Sequence, residues 1–78
     1  MKELLEYIAK NLVNNPDEVT VTEIQMDSER SILLELRVAR EDMGKVIGRQ
    51  GKIARTIRTI MKAAAVKANI RVQVEIVQ

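Results

Sequence analysis

The 78-residue chain opens with apolar residues at helical spacing: Leu4, Leu5, Ile8, Ala9, Leu12 and Val13. Apolar positions three and four residues apart line one face of a helix, so the pattern predicts an amphipathic helix over residues 2–14. The run Asn14-Asn15-Pro16-Asp17 ends it, because the residue before a proline is pushed out of the helical region. Residues 19–26 are rich in β-branched side chains and predict a strand. Its alternation changes phase near Glu23, where a bulge is expected. Residues 27–30 form a turn. Residues 31–38 then alternate, with Ile32, Leu34, Leu36 and Val38 on one face and Leu33 the exception, as in a half-buried strand paired with its predecessor in a hairpin.

The second half returns to helical spacing. Residues 41–46 predict a short helix, with Glu41 and Asp42 suited to its first turn. Gly48-Arg49-Gln50-Gly51 interrupts it, and residues 52–67 predict a long helix. Ile53, Ile57, Ile60 and Ala64 make the stripe expected to face the core. Arg55, Arg58 and Lys62 lie roughly 180° away, at about 100° per residue. Ile70, Val72, Val74 and Ile76 alternate with Arg71, Gln73 and Glu75 in a last strand. The order is α-β-β-α-α-β, an α+β class, and the length suits a single domain over residues 1–78.

Charge sharpens this picture. Residues 1–42 hold ten acidic and five basic side chains, whereas residues 43–74 hold eight basic ones and no acid. A half so one-sided is the footprint of a surface that meets a polyanion. A solvated helix face is the plainer reading of any one arginine. All three glycines, Gly44, Gly48 and Gly51, fall just ahead of the long helix. Gly48 and Gly51 would permit a left-handed backbone and a close approach at the junction. The N–H groups of residues 49–52 would then lie at the positive end of the long helix, with Arg49 and Lys52 adding charge for one or two phosphates. The alternative is that these glycines only turn the chain.

Other chemistries are disfavoured. Cysteine and histidine are absent, which removes thiol chemistry, the commonest zinc ligands and the commonest general base. No metal, no cofactor and no enzymatic activity are expected; Ser28 and Ser31 have no histidine to activate them. A nucleotide-hydrolysing loop would need glycine at Val46 and a hydroxyl at Ile53, and a dinucleotide fingerprint would again need glycine at Val46. Glu3 and Glu6 interrupt the first apolar pattern, unlike a signal peptide, and no apolar run approaches the roughly 20 residues of a membrane span. A cytoplasmic location with no membrane contact is expected.

One resemblance is specific. The run VIGRQGKIARTI (residues 46–57) resembles the Ile-Gly-x-x-Gly core of a KH domain, a module that binds single-stranded RNA. The α-β-β-α-α-β order is similar to the type II form of that fold. Residues 34–65 resemble the small stand-alone bacterial KH proteins of the KhpA family, and the likeness extends over essentially the whole chain. It implies a three-stranded mixed sheet packed on three helices, the last strand parallel to its neighbour. It also implies that Gly48, Arg49, Gln50 and Gly51 clamp the sugar–phosphate backbone of about four nucleotides. Lys52 joins Arg49 at the phosphates, Lys45 and Arg55 add longer-range attraction, and Ile47 belongs to the same set. The bases would face a groove between the loop helices and a sheet edge. Near-absence of aromatic residues fits such a groove better than modules built on stacking platforms. Ala54 departs from the large aliphatic residue common at its position, so the groove floor is expected to differ. The resemblance further implies a homodimer, or a heterodimer with a larger KH-containing protein. Met61, Ala63, Ala64, Ala65, Val66 and Ala68 exceed what one core stripe needs. They suit either a contact surface or tight helix–sheet packing.

Overall fold

The computed structural model describes residues 1–78. Helix α1 (Lys2–Lys10) is followed by a 3-10 turn at Pro16–Glu18, strand β1 (Thr20–Gln25) and strand β2 (Ser31–Arg37). A 3-10 turn at Arg40–Asp42 leads into α2 (Met43–Ile47), and a third at Arg49–Gly51 leads into α3 (Lys52–Lys67) and strand β3 (Arg71–Val77). The sheet order is β1-β2-β3, with β1 antiparallel and β3 parallel to the central strand. This is the type II KH fold, as the order of elements predicts.

Leu5 and Ala9 of α1, Ile57, Met61 and Ala65 of α3, and Ile32, Leu34 and Leu36 of β2 meet in one aliphatic core, closed by Val46, Val72 and Val74. The stripe on α3 therefore differs from expectation. Ala54, Ile57, Met61 and Ala65 are its buried residues, whereas Ile60 is 42% exposed and Ile53 and Ala64 are half-buried. Burial of Met61 and Ala65 also removes them from any contact surface, while Val66 is 77% exposed.

Helix α1 stops four residues before the predicted end. The Asn11 side chain donates to the Tyr7 carbonyl at 2.7 Å, and the Leu12 N–H turns back to Ala9 at 3.0 Å. The N–H groups of Asn14 and Asn15 leave the helix to donate to the Asp42 carboxylate at 3.2 and 3.0 Å. Nor is there a bulge at Glu23, since the β1–β2 register runs unbroken from Thr20↔Arg37 to Gln25↔Ile32. Val21 is the only buried residue of β1, so the rest of the strand runs beyond the core. Ile24 sits on the open face of the sheet, opposite Leu33. One cross-strand pair thus accounts for both departures from strict alternation.

Helix α3 ends in a tight cap. Asn69 takes the left-handed conformation (φ 59°), the Ile70 N–H donates to Ala65 at 3.0 Å and the Asn69 N–H to Val66 at 3.1 Å. These are the bonds of a Schellman motif, with asparagine in the place more often held by glycine. Only Ala68, Asn69 and Ile70 separate α3 from β3.

Candidate nucleic-acid interface

Between α2 and α3 the backbone turns through three residues of positive φ. Gly48 has φ 74° and ψ 176°, Gln50 has φ 54° and ψ 26°, and Gly51 has φ 73° and ψ 18°. Glycine is required at Gly48 on two counts. Its φ is one L-residues rarely adopt, and a Cβ there would lie 2.6 Å from Ile53 Cγ1. Around Gly51 there is open space, so only its backbone conformation favours glycine. The left-handed Gln50 had no signal in the sequence, because only glycine, asparagine and aspartate advertise that conformation.

This path decides which amides are open. The Gly51 N–H donates to the Gly48 carbonyl at 3.2 Å, and the Lys52 N–H donates to Arg49. Two of the four N–H groups expected to be free are therefore bonded internally. Those of Arg49 and Gln50 have no acceptor within the chain, since the turn at Gly48 breaks the ladder of α2 before it reaches them. Arg49, Gln50 and Lys52 are exposed, as are Lys45 and Arg55 beside them, and Ile47 is 37% exposed at the end of α2. The structure thus brings all eight sequence-predicted residues to one corner. Arg55 has a local task as well, because its Nη2 reaches back to the Gln50 carbonyl at 3.5 Å.

The charges of the basic side chains have no carboxylate partner. The single ion pair of the chain joins the amino terminus to Glu3 at 3.7 Å, so none of the eight cations of residues 43–74 is neutralised by a carboxylate. Cations that form no ion pair are the arrangement that attracts a phosphate chain.

Asp42, the acid nearest this corner in sequence, is turned inward and fully buried. It caps no helix; its oxygens accept the Asn14 and Asn15 N–H groups and the Asn15 side-chain amide, the last at 2.9 Å. Burial by itself raises the carboxyl. The hydrogen bonds from Asn15 and Asn14, with the charge of Lys45, outweigh it and hold the group below the usual aspartate value. This anchor ties the 14–15 segment to the start of α2, a pairing that sequence separation conceals.

A second region lies along the sheet edge, beside the basic face of α3. Arg58 and Lys62 of α3 and residues 72–75 of β3 line an open cleft of about 350 Å³ along the free edge of the sheet. Arg58 does not simply project into solvent, since its Nε donates to the Val74 carbonyl at 3.2 Å. A third feature is apolar: Ile8 and Leu12 with Ile53, Ile57 and Ile60 line a groove between the α1 side and α3.

A family model described as KhpA/KhpB, KH domain, matches residues 2–76. The chain belongs to the KhpA/KhpB KH-domain family. Among its KhpA relatives, the RNA-binding protein KhpA of Clostridium acetobutylicum is 66% identical over 77 residues, covering 99% of this chain and 100% of that one. The protein of the same name from Caldanaerobacter subterraneus is 60% identical over 77 residues, with the same coverage. That from Aquifex aeolicus is 47% identical over 78 residues, covering 100% of this chain and 96% of its own. In a different setting, the crystal structure of Aquifex aeolicus Era superposes with a TM-score of 0.62 at 19% identity, covering 96% of this chain and 28% of that one. That likeness shows the fold alone. No helix of this KhpA-family chain is long and apolar enough to cross a membrane.

Proposed function

We propose that residues 1–78 act as one KH module that binds single-stranded RNA without catalysing a reaction, as an RNA chaperone or post-transcriptional regulator in the cytoplasm. The observation that carries this reading is the pair of open N–H groups at Arg49 and Gln50, set among cations that no carboxylate neutralises. Phosphates meet those two amides with Arg49 and Lys52, while Lys45 and Arg55 strengthen the field. Ile47 and the cleft beside β3 then receive the bases. The names of the relatives support RNA as the polyanion. A salt titration of binding to a short single-stranded RNA tests the mechanism. Neutralising about three phosphates gives a log–log slope near −2, at about −0.7 per phosphate. Binding that persists with a flat salt response would contradict it.

A second reading concerns assembly. Ile60 is 42% exposed and Leu12 37% exposed, and both line the apolar groove between α1 and α3. Apolar surface of this kind suits a protein contact. Self-association, or pairing with a larger KH-containing protein, would join two RNA grooves and raise affinity through effective concentration. Sedimentation with and without RNA distinguishes a monomeric module from an assembled one.

A further inference from the structure

Helix α2 has five residues, and Val46 is the only one of them that is buried. A short rod held at one point pivots about it, so a second fixed point is needed to set its axis. Asp42 supplies that point. It lies four residues before Val46, and both are fully buried, on one side of the turn that leads to the loop. Its carboxylate accepts from the Asn14 N–H, the Asn15 N–H and the Asn15 side chain at 3.2, 3.0 and 2.9 Å. The far end of this brace is itself fixed. Val13 packs against the core, and the Glu18 N–H donates to the Asn15 carbonyl at 3.0 Å.

The loop follows α2 directly. The Gly48 N–H donates to the Gly44 carbonyl at 2.9 Å, and the backbone at Gly48 passes so close to Ile53 that a Cβ would strike it. The open N–H groups of Arg49 and Gln50 come next in the chain, so the axis of α2 sets where they point. Charge argues against any other use of Asp42 in a polyanion site. A carboxylate near the phosphates repels them, and burial takes it out of reach of screening by salt.

Resting on the RNA-binding reading, we propose that Asp42 is a positioning residue for the phosphate corner: by holding the 14–15 segment it sets the axis of α2 and so the aim of the Arg49 and Gln50 amides. It touches no RNA itself.

The test measures binding of Asp42→Asn to a short, labelled single-stranded RNA of random sequence by fluorescence anisotropy. The temperature is one at which circular dichroism shows about nine-tenths or more of the variant folded, where unfolding alone changes apparent affinity by only about 1.1-fold. Charge alone predicts tighter binding, because a repelling group is gone; loss of the brace weakens binding about tenfold. Glu41→Gln is the charge control, removing an exposed acid one residue away, and it leaves affinity unchanged or tighter. Adding Asn15→Asp to Asp42→Asn restores the net charge and a carboxylate–amide pair with its ends exchanged, and recovers part of the loss. In proton–nitrogen correlation spectra of the free protein, Asp42→Asn displaces the Arg49 and Gln50 amide signals and leaves those of residues 28–30 in place. A residue that only stabilised the fold would lower the melting temperature without moving the loop amides. A folded Asp42→Asn that binds within about twofold of wild type, or more tightly, overturns the proposal and leaves RNA binding standing. Should Asp42→Asn fail to fold, Asn15→Ala decides, since it removes the side-chain donor and keeps the carboxylate and both backbone donors. Weaker binding with displaced loop signals then upholds the brace, and unchanged affinity overturns it. Failure of the wild type to bind RNA overturns both readings.

Discussion

Asn15 donates twice to Asp42 across 27 residues of chain, from its backbone N–H at 3.0 Å and from its side-chain amide at 2.9 Å. The carboxylate is fully buried, so its charge persists only because these donors and the Asn14 N–H surround it. Its pKa in the folded chain lies below the ordinary value of 3.8. A depressed folded-state pKa means that the stabilisation is complete above the unfolded value and is lost as pH falls through the folded one. Asp42→Asn presents an amide where a donor already points, and should lower the urea midpoint at pH 7. Wild type and variant should converge as pH drops below about 3.8. A gap that stays constant from pH 7 to pH 3 would rule out the charged anchor.

The loop gives the sharpest functional variant. Arg49 and Gln50 are exposed, and the left-handed backbone at Gln50 is one that aspartate tolerates well. The double change Arg49→Asp and Gln50→Asp should leave the circular dichroism spectrum and melting temperature near wild type. It should weaken binding to single-stranded RNA by about a hundredfold or more, through like charge at the phosphate contact. Retained affinity in a folded double variant would remove the loop from the interface.

The two positive-φ glycines should not respond alike. Gly51→Ala meets open space and should cost about 1–2 kcal/mol from backbone conformation alone. Gly48→Ala adds a contact 2.6 Å from Ile53 Cγ1 and should cost more. Denaturant unfolding of both variants checks the order; equal losses would mean that Ile53 yields without cost.

On α3, Ile57 and Ile60 separate core from surface. Ile57 is 2% exposed, and Ile57→Ala should lose about 2–5 kcal/mol through the cavity it leaves. Ile60 is 42% exposed, and Ile60→Ser should alter stability by only about 0.5 kcal/mol. If the apolar groove joins two copies, Ile60→Ser shifts sedimentation toward the monomer. A variant that sediments as wild type assigns the contact to another face.

These residues also show what was legible beforehand. Element order, the bounds of α3 and the corner at Gly48 to Gly51 followed from spacing and glycine placement, because local periodicity and backbone sterics act within a few residues. The face of α3 was misjudged because Ile60 outranks Ala54 in hydropathy while burial depends on which face meets the sheet. Asp42 read as a helix-start acid, since nothing local shows that its donors lie at residues 14 and 15. The Arg58 bond to Val74 was hidden for the same reason, being set by how α3 lies along β3.

The Schellman turn at Asn69 leaves only three residues between α3 and β3, and both walls of the Arg58 cleft belong to those two elements. Ile57, Met61 and Ala65 of α3 share one core with Val72 and Val74 of β3, so the walls part only if that core opens. On the RNA-binding reading, conformational adjustment then falls to the ribonucleotide chain, whose backbone bends to the spacing the protein imposes.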